Sequence, residues 1–389
     1  QHIPYGPNSS LHHSRYDKLT TLISEQKRFR IGHSRRVLSR EQKQRAMQLR
    51  SGFKKFFNVA QWKESGFDAL LYTSACRDKL APWVSKRTMS DIIRSVEKSS
   101  LTQPYNCAKL FLKGQDVKKE EKRHSKATAG QIVSEFPLAR QFRDAPLALY
   151  VERLSLRHAY NSTMFYTRAS PNALSDWYRR HWKPGVMTAN DYTAWDAGCD
   201  EVFLDFDCWV MGLSGLPWQY IEQYKEERLT TYSHLGPHKV KQESGDRWTL
   251  LLNSLRNAAI TGASLNCPKE TPAAFCGDDS VVLGDWRTDR SFDTSAWVMQ
   301  PKPERSKRIV FCGIQFGDHD ITLSSTVLLH RAMNGFARGR NDVDFWRSIR
   351  DNYAEISNRS DPAAPPLLAA RYVLNSAVSY FSLPSMLLL

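Results

Sequence analysis

The chain has 389 residues, 41% hydrophobic and 11% aromatic, and its 55 Lys and Arg against 40 Asp and Glu give a formal net charge of +15. That apolar content excludes a disordered polypeptide and is enough for a large core with two or three subdomains. The positive excess points to a polyanionic partner, nucleic acid first and an anionic membrane surface second.

The chain starts with Gln1 rather than methionine, as a segment of a longer polypeptide or a trimmed product would. No signal peptide or transmembrane run is visible. The first hundred residues are rich in Lys and Arg. Within them S-R-E-Q at Ser39 resembles a capping box and predicts a helix from there to Ser51-Gly52, with Arg40, Lys43, Arg45 and Arg50 as a solvated face. KLFLKGQDVKKEEKRHSK, from Lys109 to Lys126, is densely basic apart from Glu120 and Glu121. GVMTANDYTAWD reads as a strand ending in acidic residues. DEVFLDFDCWVMG has helical spacing, with Val202, Phe206, Trp209 and Val210 on one side. His234 and His238 have a ligand-like spacing, but TYSHLGPHKV offers no cysteine or acidic partner, so they read as loop histidines. SGDRWTLLLNSLRNAAITG predicts a loop followed by an amphipathic helix. AAFCGDDSVVLG predicts a β-hairpin whose tight turn is Gly277-Asp278-Asp279, and RIVFCGIQFGDHDITL a second hairpin. The last stretch, PPLLAARYVLNSAVSYFSLPSMLLL, is broken by Arg371, Asn375 and Pro384. It reads as a helix packed on the body, with peripheral membrane contact as the second reading. The fold class is α+β, a core with helical lobes at both ends.

The seven cysteines are odd in number and form no C-x-x-C pair, so neither a zinc ribbon nor a disulfide framework is supported and a reducing, cytosolic setting fits. The absence of G-x-x-x-x-G-K-[ST] leaves a P-loop ATPase without support. Three clusters carry chemistry. Adjacent carboxylates at a rigid turn, Asp278 and Asp279, repel unless a divalent cation lies between them, and hard oxygen ligands suit Mg²⁺ or Mn²⁺. The bare tripeptide is also an ordinary solvated turn in many proteins. Asp191, at the end of the predicted strand, can face that turn, whereas Asp196 lies beyond Trp195 and is placed to read a substrate hydroxyl. Ser244-Gly245, Thr249 and Asn253 form S-G-x-x-x-T-x-x-x-N. Gly245 permits an unusual backbone angle, and Thr249 and Asn253, four apart, share a helix face able to hydrogen-bond a ribose 2′-hydroxyl.

In this order the three clusters resemble motifs A, B and C in the palm of viral RNA-dependent RNA polymerases. FCGIQFG resembles motif E of the alphavirus-like group, and FLKGQDVKKEEKRHSKATAGQ the basic motif F of its tymovirus- and flexivirus-like branch. The resemblance runs from about Leu110 to Gly317. It implies a right hand: fingers at 1–185, palm at 186–323 with a fingers insertion at 212–243, and thumb at 324–389. It implies that Asp191, Asp278 and Asp279 are catalytic and hold two Mg²⁺ or Mn²⁺ ions. Asp196, Ser244, Gly245, Thr249 and Asn253 would form the ribose and NTP site. Lys113, Lys119, Lys122, Arg123 and Lys126 would be candidates to meet triphosphate and template. Motif D, which often supplies a lysine general acid, matches least well: Lys302 and Lys307 stand there, but Pro301 and Pro303 disturb the pattern. The implied partners are template and nascent RNA, NTPs, other replication domains of the same polyprotein and a peripheral membrane, in host cytoplasm or membrane-associated complexes. A reverse transcriptase and a non-catalytic RNA-binding scaffold are the alternatives. The first would carry an aromatic residue before x-Asp-Asp and a steric gate at Asn253; the second would have lost acidic positions.

Overall fold

A computed structural model of the chain describes residues 12–13, 16–84, 88–102, 104–116, 129–192, 195–317, 320–359 and 365–388. The basic segment supplies two short strands, β1 (Lys109–Leu112) and β2 (Ile132–Glu135), paired antiparallel. Lys119, Lys122, Arg123 and Lys126 lie between them, outside the described residues.

Five strands build the central sheet: β3 (Thr163–Phe165), β4 (Met187–Tyr192), β5 (Ala273–Cys276), β6 (Asp279–Leu283) and β7 (Pro301–Ser306). Their spatial order is β7-β4-β6-β5-β3, antiparallel throughout except for the parallel pair β3–β5. Ala273, Ala274 and Phe275 in β5 are fully buried, as a strand covered on both faces requires. Pro301 and Pro303 are accommodated in β7 because it is an edge strand. They are two residues apart, so both ring nitrogens can face the open edge, where no ladder donor is missed.

The predicted second hairpin is the start of a three-stranded meander, β8 (Ile309–Phe311), β9 (Ile314–Phe316) and β10 (Ile321–Leu323). Cys312 and Gly313 both have positive φ, the conformation that a two-residue hairpin turn demands.

Among the helices, α1 (Arg40–Phe53) starts at Ser39 with both halves of the capping box formed. In α2 (Glu201–Leu213), Val202, Phe206 and Val210 are buried and Trp209 half-buried, as the spacing predicts. Helix α3 (Thr249–Ser264) departs from its amphipathic expectation: from Leu251 to Gly262 every residue is buried. It runs between the sheet and α1, and where it crosses α1 the small residues Ala259 and Gly262 let its backbone touch that of Gly52. A helix enclosed on all sides has no solvated face to write into its sequence.

Three further helices, α4 (Ser325–Ala337), α5 (Val343–Arg359) and α6 (Pro365–Tyr380), share a separate core around Trp346, Leu367 and Leu374. The terminal segment is thus the packed helix expected. Among the described residues no helix is long and apolar enough to cross a membrane. Among the described residues no disulfide joins any of the seven cysteines. The two histidines do find acidic partners, from outside their loop. His234 lies 3.3 Å from Glu25, and His238 is buried between Ser233 Oγ at 2.8 Å and Glu243 Oε1 at 3.1 Å.

Candidate active site

The turn between β5 and β6 is Cys276-Gly277-Asp278-Asp279, with Asp279 opposite Cys276 in the ladder and Gly277 at φ +63°. Glycine is the residue that adopts that angle at least cost. On the other side of β6, β4 brings Asp191 to the same end of the sheet, with Asn190 opposite Ser280. Alternation along β4 buries Asn190 and Tyr192 and leaves Asp191 exposed. Asp191, Asp196, Asp278 and Asp279 all line one cavity of about 1140 Å³, together with Ser244, Gly245, Thr249 and Asn253.

Crowding by protein, then by Asp279, Asp196 and Asp191, pushes the Asp278 pKa up to about 6, although its carboxylate is open to the cavity. Excess negative charge of this kind, all from hard oxygen donors, fits Mg²⁺ or Mn²⁺. Among the described residues no three His, Cys, Asp or Glu side chains already close into a metal cage. Asp279 also accepts from the Cys312 thiol at 3.3 Å, which ties the meander's turn to the acidic end of the sheet.

Ser244 donates to Asp196 Oδ2 at 2.9 Å, joining the Ser-Gly loop to the short helix that carries Asp196. Thr249 is engaged in building that loop, donating to the carbonyls of Glu243 (2.9 Å) and Asp246 (2.8 Å) and accepting from Gln242 Nε2. Asn253 lines the cavity 7% exposed, its Oδ1 3.4 Å from Arg256 Nη1. The expectation for Gly245 needs correction. Its φ is not positive; what it supplies is space, because a Cβ there would lie 2.0 Å from the Ser134 carbonyl oxygen. The loop is therefore clamped against β2. Lys302 lies opposite Asp191 on β7 and lines the cavity. Lys307 is exposed in the turn after β7 and is not among the cavity's lining residues, and Lys113 is exposed with its Nζ 3.2 Å from Gln131 Oε1.

Residues 22–383 match the model of a family described as RNA dependent RNA polymerase. The chain belongs to the RNA-dependent RNA polymerase family. It is 29% identical over 345 residues to the RNA replication protein of Botrytis virus F, an alignment covering 86% of this chain and 18% of that protein. It is 26% identical over 324 residues to the RNA-directed RNA polymerase of Apple chlorotic leaf spot virus, covering 80% and 17%. With the RNA replication protein of Grapevine virus A it shares 26% over 329 residues, covering 82% and 19%. The chain thus spans less than a fifth of the length of these relatives, and they bear out its resemblance to the flexivirus-like branch.

This member of the polymerase family carries site residues that spacing alone did not single out. Lys27, Arg28, Lys79, Arg168 and Arg247 also line the cavity. Burial, and then the charges of Arg168, Arg247 and Arg153, outweigh nearby Glu152 and lower the Lys79 pKa. Like charges gathered on a cavity wall are what a bound polyanion relieves. Beneath the Ser-Gly loop, Asp246 is buried between Arg140 (2.8 Å) and Arg228 (3.3 Å). Glu243 takes a hydrogen bond from Ser134 on β2; burial works against its charge, but Lys241 and His238 hold its pKa down to about 2. Removing one partner of such a buried pair typically costs about 3–5 kcal/mol, so these groups give the loop one conformation. No local pattern betrays the contacts of Glu243 with Ser134 or of Asp246 with Arg140, which lie 109 and 106 residues away in sequence.

Proposed function

We propose that this chain is the catalytic segment of an RNA-dependent RNA polymerase. It would add NTPs to an RNA 3′-hydroxyl under the direction of an RNA template, replicating a positive-strand viral genome. The observation that carries this reading is the meeting of Asp191, on β4, and Asp278, in the turn that leads into the neighbouring β6, in a cavity also lined by Asp196, Ser244 and Asn253. Asp191, Asp278 and Asp279 would hold two Mg²⁺ or Mn²⁺ ions, which supply charge stabilisation and hydroxyl activation when bound. Asp196 and Asn253 would accept or donate to the ribose hydroxyls, with Asp196 oriented by Ser244. Lys302, beside Asp191, is the better placed general acid for the leaving pyrophosphate. The enclosing walls position the reactants rather than reacting with them.

In this reading residues 1–185 are fingers, 186–323 palm with a fingers insertion at 212–243, and 324–389 thumb. The separate core of α4–α6 supports the last boundary. Two relatives are named RNA replication polyproteins, which supports further replication domains around this segment. Host cytoplasm, with peripheral membrane contact through such domains, is the proposed setting.

The test is labelled-NTP incorporation by the purified chain on a defined RNA template with Mg²⁺, repeated with Mn²⁺ and with a primer. Template-complementary product is expected. RNA binding without product under all these conditions would leave the scaffold reading in its place. Within the site, Asn253→Ala is expected to lower discrimination between NTP and dNTP by about 10-fold, one lost hydrogen-bonding partner for the 2′-hydroxyl. Competing incorporation of matched NTP and dNTP measures it, and unchanged selectivity would leave the ribose check to Asp196. Lys79→Ala and Arg247→Ala should each weaken RNA binding irrespective of sequence and reduce the slope of log affinity against log salt by about 1. Filter binding across a salt series checks this, and an unaltered slope would remove these cations from the RNA path.

A further inference from the structure

The ladder between β4 and β6 stops at Asn190 and Ser280, one residue short of Asp191 and two short of Asp278. Backbone pairing between these two strands therefore does not set the gap between the two carboxylates. Asp278 sits in a two-residue turn whose own hydrogen bonding holds it to β5, not to β4.

One buried side chain spans that gap. Asn257, on α3, is fully buried. Its Nδ2 donates to the Gly277 carbonyl at 3.2 Å, and its Oδ1 accepts from Tyr192 OH at 2.8 Å. Gly277 immediately precedes Asp278, and Tyr192 immediately follows Asp191. One helical turn earlier, Ser254 Oγ accepts the Gly277 N–H at 2.8 Å while donating to the Leu250 carbonyl at 2.8 Å. Both backbone polar groups of Gly277 thus end on α3. Thr261, one turn later, donates to Asn257 Oδ1 at 3.1 Å and lies 3.1 Å from Tyr192 OH.

We propose that Asn257, assisted by Ser254, is a positioning residue that sets the separation of Asp191 and Asp278 by holding Tyr192 and Gly277 to one helix. The inference rests on the reading of those aspartates as metal ligands. The chemistry calls for an amide: one end must donate to a carbonyl and the other accept from a hydroxyl, in a place no water reaches. Leucine has the size and neither function; aspartate keeps the acceptor and turns the donor into a charge facing a carbonyl. Misplacement of a ligand by a fraction of an ångström is felt in turnover and in metal affinity more than in NTP binding by the rest of the cavity.

The experiment compares the whole chain with Asn257→Ala, Ser254→Ala and Tyr192→Phe, the last removing only a hydroxyl. Four quantities are read: kcat, KM for NTP, Mn²⁺ affinity by calorimetry in the absence of substrate, and melting temperature. Asn257→Ala should lower kcat by about 30-fold or more and weaken Mn²⁺ binding several-fold, with KM for NTP changed less than about 2-fold. Tyr192→Phe should do the same in smaller measure and add little in the double variant, because both act through one contact. A folded Asn257→Ala protein with wild-type kcat and Mn²⁺ affinity overturns the proposal, as does a loss explained wholly by a smaller folded fraction. If Asn257→Ala does not fold, wild-type values in both Ser254→Ala and Tyr192→Phe overturn it. Asp278→Asn in the same assay separates the two layers: activity there sinks the metal-ligand reading and this proposal with it. An inactive Asp278→Asn beside a normal Asn257→Ala sinks this proposal alone.

Discussion

Asp278→Asn is expected to reduce nucleotide incorporation by about 10³-fold or more while leaving RNA affinity within about 2-fold. The loss corresponds to about 4 kcal/mol, the range expected when a group stabilising transition-state charge is removed. RNA affinity should hold because Asp278 opposes a polyanion rather than attracting it, and the cavity's cations are untouched. The same substitution has an opposite effect on stability. The Asp278 pKa in the folded chain, about 6, is above the ordinary carboxylate value, so the folded state binds this proton more tightly than the unfolded one. Wild type therefore loses stability as pH rises from about 4 through 6, and the asparagine variant lacks that loss. Without divalent ions, Asp278→Asn should melt higher than wild type at pH 7.5 and not at pH 4.5. Added Mg²⁺ should narrow the difference at pH 7.5. A variant that incorporates NTP at the wild-type rate would remove Asp278 from the metal site. A variant that is inactive yet no more stable at pH 7.5 would mean that the acidic cluster is relieved by some neighbouring cation before any metal arrives.

How much of this was legible beforehand depended on how local each signal is. The capping box at Ser39, the alternation through Asp191 and the turn at Gly277 are each written within a few residues, and each stands where the spacing places it. The three acidic positions could be listed from sequence, and β-sheet topology alone then brings them to one cavity. What could not be read is set by distant chain. Helix α3 looks amphipathic because Asn253, Ser254, Asn257 and Thr261 are polar, yet all four are buried, the last three against other polar groups rather than water. His234 looks partnerless because its carboxylate, Glu25, comes from the N-terminal region, whereas that of His238, Glu243, stands only five residues on, just past the loop that carries both histidines. Gly245 looked like a glycine of conformation and is a glycine of contact, its neighbour Ser134 belonging to β2. A single sequence shows which residues are polar, small or charged; it does not show what faces them.

Gly262→Ala and Gly212→Ala make the same chemical change in the last turns of two helices and are expected to move stability in opposite directions. Intrinsic propensity favours alanine over glycine in a helix by about 1 kcal/mol at both positions. At Gly212, near the end of α2, an added Cβ meets nothing within 4 Å, so that preference should appear as a gain in melting temperature of a few degrees. At Gly262 an added Cβ would lie 2.2 Å from the Gly52 carbonyl oxygen and 3.0 Å from its Cα. The obstacle is backbone, on a helix anchored by the fully buried Leu49 and Phe53, so it cannot rotate away as a side-chain tip would. Crowding of this kind costs about 1–3 kcal/mol or more, which exceeds the propensity gain. Gly262→Ala should therefore lower the melting temperature by several degrees, and Gly262→Val should prevent folding or lower it by about 10 °C. The displacement also has a functional consequence, because α3 carries Asn253, Ser254 and Asn257 towards the acidic turn. Incorporation by folded Gly262→Ala should fall with little change in RNA affinity, whereas Gly212→Ala should keep wild-type turnover. Equal stabilisation by both substitutions would show that α1 and α3 are farther apart at their crossing than the backbone contact requires, and that the support of the site lies elsewhere.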